Sequence, residues 1–535
     1  MSEDRHHLVA SSDRVSNAAA TGDLRRLAAA CVWPSFHGPT APPWLLELLD
    51  SGLGGVVLFG SNIQTADQLL ELTTQLAHGH PGLPIALDEE GGDVTRLHAR
   101  TGAWSPGNLA LGAVDDAALT EQVAAAMARE LRACGVTVTL APVADLLLDP
   151  ANPIVGTRSF GTSAEGVARH VAAFVRATQD EGVGACVKHF PGHGATSADS
   201  HHEVPHVDVD RDVLQTRELV PFRSAIDSGV RCVMVGHLLV RALDGVVATF
   251  SRPIATDLLR NELAFTGLVL SDALDMAAAS QNVGVAEAAV RALAAGVDAL
   301  CLGPVPDAAD IATALDAIVS ATQHGRLSAE RLAQAAARGS ALSAWLSPAC
   351  AGSPVTPDGL EPTRVDTQLG LAAARRALRV RGPLTRQRDA VVVELRPQPS
   401  IAAGSVAWGM RAALRSVGDL PLVLALDSSY AALDSALAAA RSRPLVLVSR
   451  DAIRHAWQRA VLTRVTRERP DVTVVELGVA GELPPARTVI LTNGASRAST
   501  VAAAELLTGL TADGVEPFVP ARETQSVPGG REGDR

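Results

Sequence analysis

From Leu24 to about Leu342 the chain alternates between two patterns. Short, nearly continuous apolar runs fall at residues 28–33, 55–59, 84–88, 136–142, 184–189, 232–237, 267–272 and 297–302. Each is short for a helix and too uniformly apolar for a strand with one wet face. Each therefore predicts a strand buried on both sides, as in a parallel sheet. Between them lie Ala-, Leu-, Glu- and Arg-rich runs with apolar residues at helical spacing, such as 67–76, 119–133, 164–179, 214–227 and 285–295. Eight strand–helix units in roughly 320 residues predict an α/β fold, a (β/α)8 TIM-like barrel with insertions. An open doubly wound sheet is the structural alternative.

The pattern breaks at 346, where a stretch rich in Pro, Gly and Ser predicts a linker over 346–365. A second set of apolar runs follows at 390–395, 421–426, 444–448, 472–477 and 489–491, with helical runs at 430–441 and 498–507. These predict a smaller αβα sandwich over 366–520, after a catalytic barrel over 23–345. Residues 1–22 predict a flexible N-terminus, and the Gly- and charge-rich 521–535 a disordered tail.

Composition narrows the function classes. With 46 basic against 58 acidic side chains the net charge is −12, which argues against nucleic-acid and anionic-membrane partners. The six cysteines are scattered with no C-x-x-C pair, as expected of buried thiols in a reducing compartment. Met1 to Thr21 is polar, which predicts no signal peptide, and no apolar run has the length of a membrane span. A cytoplasmic protein acting on a small molecule is the expectation.

In a (β/α)8 barrel the chemistry gathers at the carboxyl ends of the strands. Those ends carry Asp88-Glu-Glu-Gly-Gly-Asp-Val-Thr-Arg96, then Asn152-Pro-Ile-Val-Gly-Thr-Arg158-Ser-Phe-Gly, then Lys188-His189-Phe-Pro-Gly-His193-Gly with Asp199-Ser-His201, then His237, then Ser271-Asp272-Ala-Leu-Asp275-Met. Each has a plainer reading. Asp88 and Arg96 suit a structural ion pair. Glu89 and Glu90 suit loop acids or helix-start charges. Lys188 could extend from the barrel end, Arg158 could brace its turn, and His237 suits a supporting role. Asp272 and Asp275 compete for one role, and the strand-end position favours Asp272. His189-x-x-x-His193 has the spacing of a helical metal-ligand pair, but Pro191 and Gly192 between them preclude a helix, so neither metal nor other cofactor is expected.

These segments closely resemble the motifs of bacterial β-N-acetylglucosaminidases of glycoside hydrolase family 3. The loop Lys188 to Gly194 with Asp199-Ser-His201 is similar to the family's signature loop. Asp88 to Arg96 matches the family pattern except that Glu89 replaces the commoner Gln. The resemblance implies a retaining exo-β-N-acetylglucosaminidase acting on small glycosides such as muropeptides. It implies Asp272 as nucleophile and an Asp199–His201 dyad in the loop as general acid/base. It implies Asp88, Arg96, Arg158, Lys188, His189 and His237 as binders of the terminal sugar. A histidine titrating near neutrality can serve as acid and then as base. Because it does not repel phosphate as a carboxylate would, a phosphorylase is the alternative enzyme. A non-catalytic sugar-binding protein is the alternative of another class. Gly192 and Gly194 are expected to hinge the loop, and His193 to shape it.

Overall fold

The computed structural model describes residues 21–196, 204–304, 306–351, 364–429 and 431–512. The chain divides into two compact units. The first comprises residues 1–370 with 399–407, and the second comprises 371–398 with 408–535.

The barrel of the first unit is built from eight parallel strands: β1 (Val32–Trp33), β2 (Val56–Leu58), β3 (Ile85–Leu87), β4 (Val138–Thr139), β5 (Gly184–Phe190), β6 (Cys232–Val235), β7 (Leu268–Ser271) and β8 (Leu300–Cys301). β2 to β7 form one sheet in sequence order, and β1 pairs with β8. Backbone bonds close the ring. Val57 N–H donates to Pro34 at one seam, and Ser271 N–H donates to Ala299 at the other, each at 2.9 Å. Every predicted barrel strand is present, and all but β5 are shorter than the apolar run that predicted them. The largest loss is at 136–142, which keeps only Val138–Thr139, and at 28–33 residues 28–29 still belong to the preceding helix.

The helices start where side chains satisfy orphan N–H groups. Thr65 caps Ala66–Ala77, Asp116 caps Ala117–Ala133 and Ser163 caps Ala164–Asp180. Asp307 and Asp310 form a capping box on Ala308–Gln323. Inside the barrel, Trp33, Val57, Ala86, Val138, Leu140, Cys186, Cys232, Met234, Leu268, Leu270, Ala299 and Cys301 form one apolar cluster. The barrel is thus a packed core and not a pore. Five cysteines, Cys31, Cys134, Cys186, Cys232 and Cys301, are buried free thiols.

Two features depart from the sequence pattern. The helix Ala329–Ala351 runs through the start of the expected linker at 346. Leu342 and Leu346 belong to the barrel's apolar cluster, and Leu346 is fully buried. Burying a leucine contributes about 1.5–3 kcal/mol, so Leu342 and Leu346 together offset the roughly 3 kcal/mol that a proline costs in a helix interior. The other feature is Asp298, just before β8. Its carboxylate is fully buried and accepts from Arg260, from Arg331 at 2.5 Å, from Arg338 at 3.0 Å and from the Val269 N–H at 2.9 Å.

The second unit holds a six-stranded sheet of β9 (Arg379–Arg381), β10 (Val391–Leu395), β11 (Leu422–Leu426), β12 (Leu445–Ser449), β13 (Thr473–Glu476) and β14 (Thr488–Leu491). The order is β9-β14-β13-β12-β10-β11. The five predicted strands are parallel, and β9 adds an unforeseen antiparallel edge against β14. Its alternation of Arg, Val and Arg is too short and too charged to stand out from the apolar runs.

Replacing Asp298 with Ala strands several guanidinium groups in or near the core. It is expected to cost about 3–5 kcal/mol of stability. Urea denaturation measures this, and a loss below about 1 kcal/mol would show the cluster to be energetically idle.

Candidate active site

The carboxyl ends of the barrel strands open into a cavity of about 1010 Å³. Asp88, Glu90, Arg96, Arg158, Lys188, His189, His193, Asp272 and Asp275 all line it. Local structure explains how they arrive. After β3, Glu90 N–H donates to the Val94 carbonyl at 3.1 Å and folds the Gly-Gly segment into a tight turn. After β4, the Asn152 carboxamide oxygen accepts from the N–H groups of Ile154 and Val155 at 2.8 Å. The same side chain donates to the Thr196 carbonyl at 2.7 Å, tying this loop to the one after β5. Successive side chains of a regular strand point to opposite faces. The β5–β6 register shifts between Val187 and Phe190, and both Lys188 and His189 line the cavity.

A chain of charged contacts joins the strand ends. The Lys188 ammonium, 2% exposed, lies 2.6 Å from Asp88 Oδ1 and 2.7 Å from Glu90 Oε1. Arg158 grips Glu90 with two donors, Nε at 2.8 Å and Nη2 at 2.7 Å. Burial opposes the charge on Glu90, but Arg158 and Lys188 outweigh it and hold the carboxyl well below its usual range. Burial would likewise lower the pKa of Lys188, and Asp88 and Glu90 together hold it above the ordinary value. Asp88 is held low by Lys188 and then Arg96, again against burial.

Asp145 anchors the other side of the cavity. Its carboxylate is buried and accepts from His189 Nδ1 at 2.6 Å and from the His193 N–H at 2.7 Å. Burial opposes ionisation, and His189 reverses the balance, so its pKa lies low. The His189 Nε2 atom then faces Arg158 Nη2 at 3.4 Å as an acceptor, which assigns the Nδ1–H tautomer. His193 bonds Thr196 Oγ1 through Nδ1 at 2.7 Å, and its Nε2 is buried without a partner. Burial and the nearby positive groups push its pKa down to about 4 despite Asp145.

Asp272 follows β7 directly. Its Oδ1 accepts the Ala273 N–H at 2.8 Å, and its own N–H donates to Val235 at 3.1 Å. Asp275 packs against Gly303, where a Cβ would sit 2.1 Å from the carboxyl carbon. His237 is fully buried beneath this segment. Nδ1 lies 2.7 Å from Thr249 Oγ1, and Nε2–H donates to the Ala273 carbonyl at 3.0 Å. It does not line the cavity; Nε2 holds the carbonyl beside Asp272, and Nδ1 is engaged with Thr249.

Thus Asp88, Arg96, Arg158, Lys188, His189 and Asp272 are brought to one cavity, while His237 lies under its wall. Asp199 and His201 lie outside the described residues. Arg96 is the main change of emphasis. It donates to the Ala402 carbonyl at 2.8 Å and the Ala403 carbonyl at 3.1 Å, with Asp88 at 3.4 Å. The two loop glycines are required by packing. A Cβ on Gly194 would lie 2.2 Å from the Leu146 carbonyl oxygen, and Gly192 has φ +124 against Glu218. Glu90 and Asp145 went unassigned from sequence. Asp145 did leave a signal, as the one charge within the apolar run Val143-Ala-Asp-Leu-Leu-Leu148. Among the described residues no cluster of three His, Cys, Asp or Glu side chains could hold a metal ion. Among the same residues no helix is long and apolar enough to cross a membrane.

A parallel barrel that gathers carboxylates, basic groups and imidazoles in one cavity at its strand ends has the build of a barrel glycosidase. Residues 45–341 match the profile of the glycosyl hydrolase family 3 N terminal domain, and the chain belongs to that family of glycoside hydrolases. A β-hexosaminidase A of Pseudoalteromonas piscicida is 34% identical over 365 residues, covering 62% of this chain and 61% of that relative. A β-hexosaminidase of Nitrosomonas eutropha is 37% identical over 284 residues, covering 51% of this chain and 81% of that protein. The solved structure of a family 3 β-N-acetylglucosaminidase from Paenibacillus sp. str. FPU-7 matches with a TM-score of 0.84 at 31% identity. It covers 92% of this chain and 98% of its own.

Glu90→Ala leaves Lys188 and Arg158 buried without their shared partner. The expected loss is about 3–5 kcal/mol by urea denaturation, with Glu90→Gln losing less because its amide oxygen still accepts. Acid should act in two stages. His193 binds its proton more weakly folded, at about 4, than unfolded, so its contribution is complete above about pH 6.5 and lost as pH falls toward 4. Asp88, Glu90 and Asp145 are depressed carboxyls whose contribution is present above about pH 4 and lost below it. In His193→Gln, melting temperature should fall less steeply between pH 6.5 and 4 than in the parent. Equal slopes would refute the assignment.

Proposed function

We propose that the protein is a retaining exo-β-N-acetylglucosaminidase that removes a non-reducing terminal N-acetylglucosamine from small glycosides. The observation that carries this reading is the convergence of Asp272 with Asp88, Arg158, Lys188 and His189 in one cavity. The β-hexosaminidase relatives and the Paenibacillus β-N-acetylglucosaminidase support the sugar assignment.

In this mechanism Asp272 attacks the anomeric carbon as an ionised carboxylate. Protonated His201 gives its proton to the glycosidic oxygen, the C–O bond to the leaving group breaks, and a glycosyl ester forms on Asp272. Neutral His201, oriented by Asp199, then takes a proton from water. The resulting nucleophile displaces Asp272 and releases the sugar with retained configuration. Asp88, Lys188, Arg158 and His189 present fixed donors and acceptors to the sugar hydroxyls. Arg96 supports them by holding Asp88. His237 acts by holding the Ala273 carbonyl and hence the backbone beside the nucleophile. A cytoplasmic role on muropeptides in peptidoglycan recycling belongs to the same proposal.

The protein should hydrolyse a nitrophenyl β-N-acetylglucosaminide. Asp272→Ala should lower kcat by on the order of 1,000-fold or more. Absence of turnover in the parent would overturn the reading in favour of a sugar-binding protein. His201→Ala should cost about 100- to 10,000-fold on alkyl glycosides and far less on nitrophenyl ones, whose leaving group needs no proton. Equal loss on both would sink its role as the acid. Product analysis with and without phosphate completes the test, since sugar-1-phosphate appearing only with phosphate would identify a phosphorylase.

A further inference from the structure

The first unit takes up residues 399–407, a short segment whose flanking residues on both sides belong to the second unit. It forms a strap along the cavity. Ile401, Ala402, Ala403, Gly404 and Ser405 line the same space as Asp88 and Asp272. The strap is held by its backbone. Arg96 grips the carbonyls of Ala402 at 2.8 Å and Ala403 at 3.1 Å, and the Ala407 N–H donates to Ala99 at 2.7 Å. Within it, Gly404 N–H donates to the Ser400 carbonyl at 2.9 Å, and Gly404 takes φ +65, closing a tight turn.

All of these anchors are backbone atoms of the strap, and none uses the Ile401 side chain. It is 51% exposed, while Ala403, two residues on, is 6% exposed beside Arg96. Ile401 is one of few large apolar side chains exposed among the described residues, and the one of them that lines this cavity. A lone exposed isoleucine means little by itself. One fixed by a rigid turn in the wall of a binding cavity is different, because any ligand group that covers it gains its burial at small ordering cost.

The direction of the site says which group that is. The charged cluster is deep, with Glu90 and Lys188 each 2% exposed, and it suits the hydroxyls of a terminal sugar. What that sugar is attached to must lie toward the mouth, where Ile401 stands. We propose that Ile401 is a specificity-determining residue that receives an apolar portion of the leaving group. The inference rests on the glycosidase reading above. Because Arg96 bonds both the strap and Asp88, the wall that meets the leaving group is mechanically joined to a residue that meets the sugar.

The test uses alkyl β-N-acetylglucosaminides from methyl to hexyl. The alcohols released are of nearly equal basicity, so the series varies contact and hardly varies chemistry. The parent should prefer hexyl over methyl in kcat/KM. Ile401→Ser should reduce that ratio about fivefold to tenfold, expressed in KM, and Ile401→Leu should retain it. A purely structural role for Ile401 would lower both substrates together. If the parent cleaves both glycosides and Ile401→Ser leaves the ratio unchanged, the inference falls and the glycosidase reading stands. If the parent cleaves neither, the glycosidase reading falls and takes the inference with it.

Discussion

The site depends on the carboxylate of Glu90, shared between the Lys188 ammonium and the Arg158 guanidinium. All three groups are nearly shut off from water, so the burial of each charge is costly unless the others offset it. Together they form the centre of an unbroken series. Asp145 holds His189, His189 meets Arg158, Arg158 grips Glu90, Glu90 meets Lys188, Lys188 meets Asp88, and Asp88 meets Arg96. The members come from the loops after β3 and β4 and from the end of β5. A displacement of one strand end therefore breaks a charged contact at the next.

That coupling suits polar recognition. Donors and acceptors aimed into a dry cavity are effective because they need no rearrangement when a ligand arrives. Asp272 reaches the same cavity from a different strand. It comes from β7, and its carboxylate is steadied by the backbone N–H of Ala273 and, from beneath, by His237 on the Ala273 carbonyl. At its far end the series passes through Arg96 to the strap at 399–407, so the floor and one wall of the cavity share a residue.

Much of this was legible along the chain. The eight apolar runs marked the barrel strands, because a strand buried on both faces must be apolar throughout. The motifs at the strand ends marked Asp88, Arg158, Lys188, His189 and Asp272, because a barrel puts chemistry where its strands stop. Other features were hidden. Glu90 looked like one more loop acid, since nothing local distinguishes a carboxylate that will meet two cations from distant strands. The helix beyond 346 looked like linker because Ser and Pro signal a break locally, while Leu346 is held by a core assembled elsewhere. The family resemblance cast His237 as a sugar binder, but only packing shows that both its nitrogens face the protein.

The sequence by itself determined the architecture, the order of the site motifs and the chemical types available, since periodicity and residue chemistry are local properties. Tertiary structure decided the partners. Whether Arg96 faces a sugar or the Ala402 and Ala403 carbonyls, and whether Glu90 is an idle acid or the shared counter-ion, depends on contacts between residues far apart in the chain. Such contacts are set by the closure of the barrel and the packing of its loops. No stretch of neighbouring residues encodes them alone.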